Sequence, residues 1–92
     1  MLISMGLSGS MLTAYISAAM RQAHYEIVEE DHRFYGHIPE TPGVWAHADT
    51  LEACREELQS VLEGWILLGL RLSHTLPVID GIDLNADKSV AA

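Results

Sequence analysis

Apolar positions along the chain change period twice, and each change marks a change of element. In LTAYISAAMRQ, residues 12 to 22, Leu12, Tyr15, Ile16, Ala19 and Met20 fall on one face at helical spacing. The alanines favour the same state, so a short helix is predicted there. The period then drops to two. HYEIV (24 to 28) sets Tyr25 and Ile27 on one face against His24, Glu26 and Val28 on the other. FYGHI (34 to 38) follows the polar turn EEDHR, close enough to pair antiparallel with the first strand. Gly36 within it signals a bulge or a close backbone approach. PETPG (39 to 43) cannot continue a central strand, because neither proline carries an N–H. VWAHA (44 to 48) is a third strand, with Val44, Ala46 and Ala48 opposed to Trp45 and His47.

Helical spacing returns after residue 48. Asp49 and Glu52 form an Asp-x-x-Glu capping pattern, so Asp49 is the expected cap. Leu51, Cys54, Leu58, Val61, Leu62, Trp65, Leu68 and Leu72 trace an apolar stripe. Glu52, Arg55, Glu56, Gln59 and Glu63 trace the wet face. From Trp65 onward, WILLGLRL is apolar over most of its circumference. Such a helix is covered on more than one side: by the N-terminal helix, by a second subunit, or by both. VIDGIDL (78 to 84) is a last short strand or an extended arm.

The pattern therefore predicts an α+β two-layer sandwich. An antiparallel sheet of three to four strands is packed by one long helix plus a short N-terminal helix. Residues 1 to 11 are expected to be a flexible lead-in, residues 12 to 84 one domain, and residues 85 to 92 a disordered tail.

Charge narrows the functions. The 92 residues carry 13 acids against five Lys plus Arg, a net charge of −8. Nucleic-acid phosphates and anionic membranes call for clustered Lys and Arg, so neither is an expected partner. A basic protein suits the charge. So small a domain buries a limited core, which favours a homodimer or a higher homo-oligomer. The single cysteine, Cys54, fits a reducing compartment. No apolar run has the length of a membrane helix, and no basic residue precedes the first apolar run as in a secretory signal. A cytoplasmic protein is expected.

The chemistry-bearing residues do not assemble into a catalytic or metal motif. His37 and His47 lie on neighbouring strands, but zinc needs three or four converging ligands, and no Cys-x-x-Cys, His-Glu-x-x-His or His-x-His is present. Cys54 sits on the buried stripe, where a lone thiol acts as a small hydrophobe. Glu29, Glu30 and Asp31 share one turn, the usual place of a solvated charge run. No phosphate-binding glycine loop occurs. No cofactor, metal or catalytic residue is therefore expected. If the helices cover the Val44 face, Tyr35, His37, Trp45 and His47 form an aromatic and histidine patch on the open face, suited to protein contact. With the faces reversed, Trp45 is core and the patch vanishes.

The run YEIVEEDHRFYGHIPETPGVWAHADTLEACREEL resembles the HicB antitoxin family and its HicB-like, UPF0150-type relatives. Pro39, Pro42, Gly43, Asp49, Thr50, Leu51, Glu52 and Ala53 fall where that pattern places them. The resemblance implies a β-β-β-α core of partial RNase H-like type, self-association, and masking of a small basic HicA-like toxin RNase. The chain departs from typical members in Ala48-Asp49, where they carry Gly-Asp, and in its added N-terminal helix. About twenty residues follow Leu72, too few and too acidic for a DNA-binding module of the helix-turn-helix class. Two readings besides an antitoxin stay open. One is an orphan homo-oligomeric scaffold or ligand-binding module without a toxin. The other is an enzyme using His37, His47 or the Asp31 turn.

Overall fold

In a computed structural model that describes residues 2–84, helix α1 (Leu2–Arg21) leads into three strands, β1 (His24–Val28), β2 (Arg33–His37) and β3 (Trp45–Ala48). Helix α2 (Leu51–Arg71) follows. The strands form one antiparallel sheet in the order β1-β2-β3. The fold is α+β with a β-β-β-α core. α2 packs on β3 and β2, and α1 packs on α2. The backbone of residues 2 to 11, expected as a lead-in, is helical and continuous with α1. The tail expected at 85 to 92 lies outside the described residues.

The proline-glycine segment is two β-turns in series. Thr41 N–H donates to the Ile38 carbonyl at 3.1 Å, and Val44 N–H donates to the Thr41 carbonyl at 3.1 Å. Each turn therefore has a proline at its second position, where a fixed φ is pre-set. Gly43 takes φ +94° at the third position of the second turn, a value that L side chains resist. Ile38 N–H then reaches the Val44 carbonyl at 3.3 Å and closes the loop. The Pro-x-x-Pro-Gly spacing is thus the spacing of consecutive turns. Thr41 between them is fully buried, its hydroxyl 3.5 Å from the Ile38 carbonyl.

The cap of α2 is Thr50, not Asp49. Thr50 Oγ1 accepts from Ala53 N–H at 3.1 Å. The residue three positions after Thr50 is Ala53, so no reciprocal carboxylate completes a capping box. Glu52 instead stands in the first turn, where the helix dipole favours an anion. Asp49 turns away to meet Arg33, with Oδ1 3.1 Å from Nε. Thr50→Ala is expected to lower stability by about 1 kcal/mol, the usual cost of a lost cap, and Asp49→Ala by clearly less, both read by urea unfolding.

The apolar stripe of α2 runs through Cys54, Leu58, Leu62, Ile66 and Gly69. Leu51, Leu68 and Leu72, expected on that stripe, are exposed instead. A straight helix of 3.6 residues per turn carries positions 66 and 69 under the core and leaves 68 and 72 on its flank. Gly69 lets Leu76 approach closely, since a Cβ would lie 2.7 Å from Leu76 Cδ2 and would shift that side chain. Leu76, Ile79 and Leu84 complete the core with Tyr15, Ala18 and Ala19 of α1. Residues 78 to 84 do not join the sheet. They form a single bridge, Ile79 to Ile82, around Asp80-Gly81, with φ of +53° and +76°. Two positive φ values in an Asp-Gly pair match a type I′ turn.

Tyr15 ties α1 to this segment by donating its hydroxyl to the Pro77 carbonyl at 2.6 Å. Burial, and secondarily the Asp83 carboxylate, push the phenol up to about 12 from 10.0. The folded state favours the neutral phenol. Its contribution is therefore fully present below pH 10.0 and is lost as pH rises toward about 12. Unfolding free energies from urea titrations measured upward from pH 9 should fall across that window, on the order of 2 kcal/mol in total, and Tyr15→Phe should flatten the fall.

Candidate functional site: the open face of the sheet

Alternation along three short strands assigns every side chain to one of two faces. Tyr25, Gly36 and Ala46 face α2. His24, Glu26, Arg33, Tyr35, His37, Trp45 and His47 share the opposite face. Val44 and Ala46 are buried, whereas Trp45 is 50% exposed. No helix covers this second face among the described residues. The structure thus decides the face assignment that the sequence left open, and it brings Tyr35, His37, Trp45 and His47 together.

The pairing register places the rings in a row. His37 stands opposite both His24 and Trp45, and Tyr35 opposite His47. Ring centroids lie 5.6 Å apart for His24 and His37 and 5.7 Å for His37 and Tyr35. The spacing is 6.1 Å for Tyr35 and Trp45, and 5.8 Å for Trp45 and His47. Five rings therefore form one continuous layer with offset or tilted contacts, each within the range where aromatic pairs attract. His37 is the inner member. Its Nδ1 is shielded from solvent and has no hydrogen-bond partner among the described residues.

His24 is the member that the sequence reading missed. Its position on the Glu26 face was legible, but its place opposite His37 depends on the length of the β1–β2 turn. That turn spans 29 to 32, one residue shorter than expected, because Arg33 already pairs with Val28. His32 holds the turn at φ +57°, its N–H donating to the Val28 carbonyl at 2.8 Å. Asp31 Oδ1 accepts from Arg33 N–H at 3.1 Å. A shallow hollow of about 180 Å³ lies at this end of the face, lined by Val28, Asp31, Arg33, Tyr35 and His47.

The rim of the ring layer is acidic. Glu26 stands opposite Tyr35, and Glu29, Glu30 and Asp31 fill the adjoining turn. The one arginine on the face, Arg33, is engaged with Asp49. An exposed indole and a half-buried phenol beside carboxylates suit guanidinium and ammonium groups, through cation–π contact and charge together. Pro39, Pro42, Gly43, Thr50 and Glu52 lie away from this layer, in the turns and the helix start that fix β3 against α2. No group of three or more His, Cys, Asp or Glu side chains that could hold a metal occurs among the described residues. Cys54 lies on the other side of the sheet. Its thiol is 3.6 Å from the Ala46 carbonyl and is pushed up by burial.

A β-β-β-α unit with one helix-covered face and one open, ring-lined face defines a small α+β domain. A family model described as UPF0150-like matches residues 14–77, and the chain belongs to this HicB-like family. The crystal structure of TTHA0281 from Thermus thermophilus is similar, with a TM-score of 0.73 and 40% identity. That match covers 80% of this chain and 91% of the other. A comparison with curated proteins finds no match. No helix among the described residues is long and apolar enough to cross a membrane.

Proposed function

We propose that this protein is a non-catalytic, antitoxin-type interaction protein that binds and masks a small basic toxin RNase of the HicA kind. The observation that carries this reading is the ring layer on the open face, with half-exposed Trp45 in it and Glu26, Glu29, Glu30 and Asp31 at its border. Family membership adds weight. The net charge of −8 fits an occupant rich in Lys and Arg. The work asked of the domain is then steric and electrostatic: it covers the partner's basic, RNA-facing surface and needs no bound metal or cofactor of its own.

The test is capture of the partner from the native host at low and at high salt, with bound species identified by mass. A small basic protein that leaves at high salt, cleaves mRNA when free and stops when this chain is added back supports the proposal. Recovery of this chain alone from cells that carry a small basic reading frame beside its gene counts against it.

A further inference from the structure

The helix side of the molecule carries a cleft of its own, between α1 and α2. Thr13, Ile16, Ser17 and Met20 fall on one face of α1, beside the face that Tyr15, Ala18 and Ala19 give to the core. Arg55, Gln59 and Glu63 follow at steps of four along α2, next to its core stripe. With Arg21 they line a cleft of about 420 Å³. An apolar trough of about 330 Å³ continues it, sharing Ile16 and Glu63 and adding Leu12, Ile66, Leu67 and Leu70. Each volume is of the size that holds a small molecule. The helices run antiparallel along the cleft, so Arg21 and Arg55 stand at one end and Leu12 and Leu70 at the other. Only five Lys plus Arg offset 13 acids in this chain, yet two of the five meet here. Arg55 has no carboxylate partner among the described residues. Arg21 pairs with Asp80, Nη2 to Oδ2 at 3.2 Å, with both side chains well exposed. Such a pair is worth little and gives way to a competing anion.

We propose that this cleft binds one molecule of a single-chain anionic amphiphile, a medium-chain fatty acid. The carboxylate meets the guanidinium groups of Arg21 and Arg55, whose paired N–H donors match its two oxygens. The hydrocarbon chain passes over Ile16 and Met20 into the trough between Leu12 and Leu70. Glu63 sets the direction. Its Oε2 accepts from Gln59 Nε2 at 3.1 Å, which holds a negative charge at the junction with the trough and turns an anionic head toward the arginines. Charge also selects a single molecule over a bilayer. A chain at −8 is repelled by an anionic membrane surface, whereas the two arginines act at contact distance on a molecule inside the cleft. The ring-lined face takes no part, so this inference stands apart from the toxin-binding reading.

Calorimetric titration of the full chain with sodium decanoate, kept below its micelle concentration, tests it. One saturable site per chain is expected, with a Kd in the micromolar range. Decanol, which lacks the charge, and butyrate, which lacks the chain, should each bind at least about tenfold more weakly. Arg55→Gln should weaken decanoate at least about tenfold, whereas Arg71→Gln, which removes the same charge outside the cleft, should leave it unchanged. Leu67→Asn, in the trough, should weaken decanoate at least about tenfold as well, and Trp45→Ala should not alter it. Arg55 and Leu67 are exposed, so both variants should melt like the wild type. No saturable binding, decanol as tight as decanoate, equal losses in R55Q and R71Q, or full affinity in L67N would each overturn the proposal.

Discussion

Gly36→Val is expected to lower the stability of the fold by about 3 kcal/mol, the upper part of the range for overpacking a filled core. The glycine lies on the helix-covered face, opposite Tyr25 in the β1–β2 ladder. A Cβ there would lie 2.8 Å from both Cδ1 and Cε1 of the Tyr25 ring and 3.3 Å from Cys54 Sγ. Any side chain must therefore displace an aromatic ring that is wedged between the sheet and α2. Valine adds two methyl groups beyond that already crowded Cβ. For a domain of this size the loss corresponds to a midpoint lower by about 10 to 20 °C in a thermal melt. Tyr25→Leu in the same chain should return part of the loss, because the two residues touch and their effects do not add. A Gly36→Val chain that melts like the wild type would mean the ring moves aside freely. Gly36 would then be a tolerated glycine and not a required one.

Trp45→Ala is expected to weaken binding of the basic partner by about a hundredfold while leaving the melting temperature nearly unchanged. Large truncation effects at interfaces concentrate on aromatic residues near the centre of a patch. Trp45 is the one indole of the ring layer, flanked by Tyr35 and His47 and half exposed before any partner arrives. Its side chain makes no contribution to the packed layer beneath, which rests on Val44 and Ala46. Binding and stability thus separate at this residue. Glu26→Gln, at the border of the patch, should chiefly slow association and reduce its salt dependence. Equal losses of binding and stability in Trp45→Ala would place the indole in the fold and not in the contact.

Most of the fold was legible because the residue pattern changes period where the structure changes element. The alternation in VWAHA fixed which residues share a side, though not which side the helices take. That choice turns on residues far apart in sequence: Cys54 lies against Gly36 and Ala46 only once α2 folds back over the sheet. The cap was displaced by one position because Asp-x-x-Glu and Thr-x-x-Ala overlap. The ion pair to Arg33, a tertiary contact, is what draws Asp49 out of the first role. Residues 78 to 84 were read as a short strand or an extended arm; the Asp80-Gly81 reversal within them was not, and they make one bridge and no fourth strand. His24 escaped because ring layers depend on register, and register depended on a turn whose length differs by one residue from its apparent length. Leu68 and Leu72 were assigned to the core on spacing, while the structure leaves both exposed on the flank of α2.

The central claim, that the open sheet face receives a basic protein, is tested most directly by acrylamide quenching of Trp45 fluorescence. The background should be Trp65→Phe, so that one indole reports. The free protein should quench readily, as a half-exposed indole does. Addition of the basic partner is predicted to reduce the quenching constant several-fold, with the effect reversed at high salt. A partner that binds tightly and leaves Trp45 as accessible as before would contradict the account and move the contact to another face.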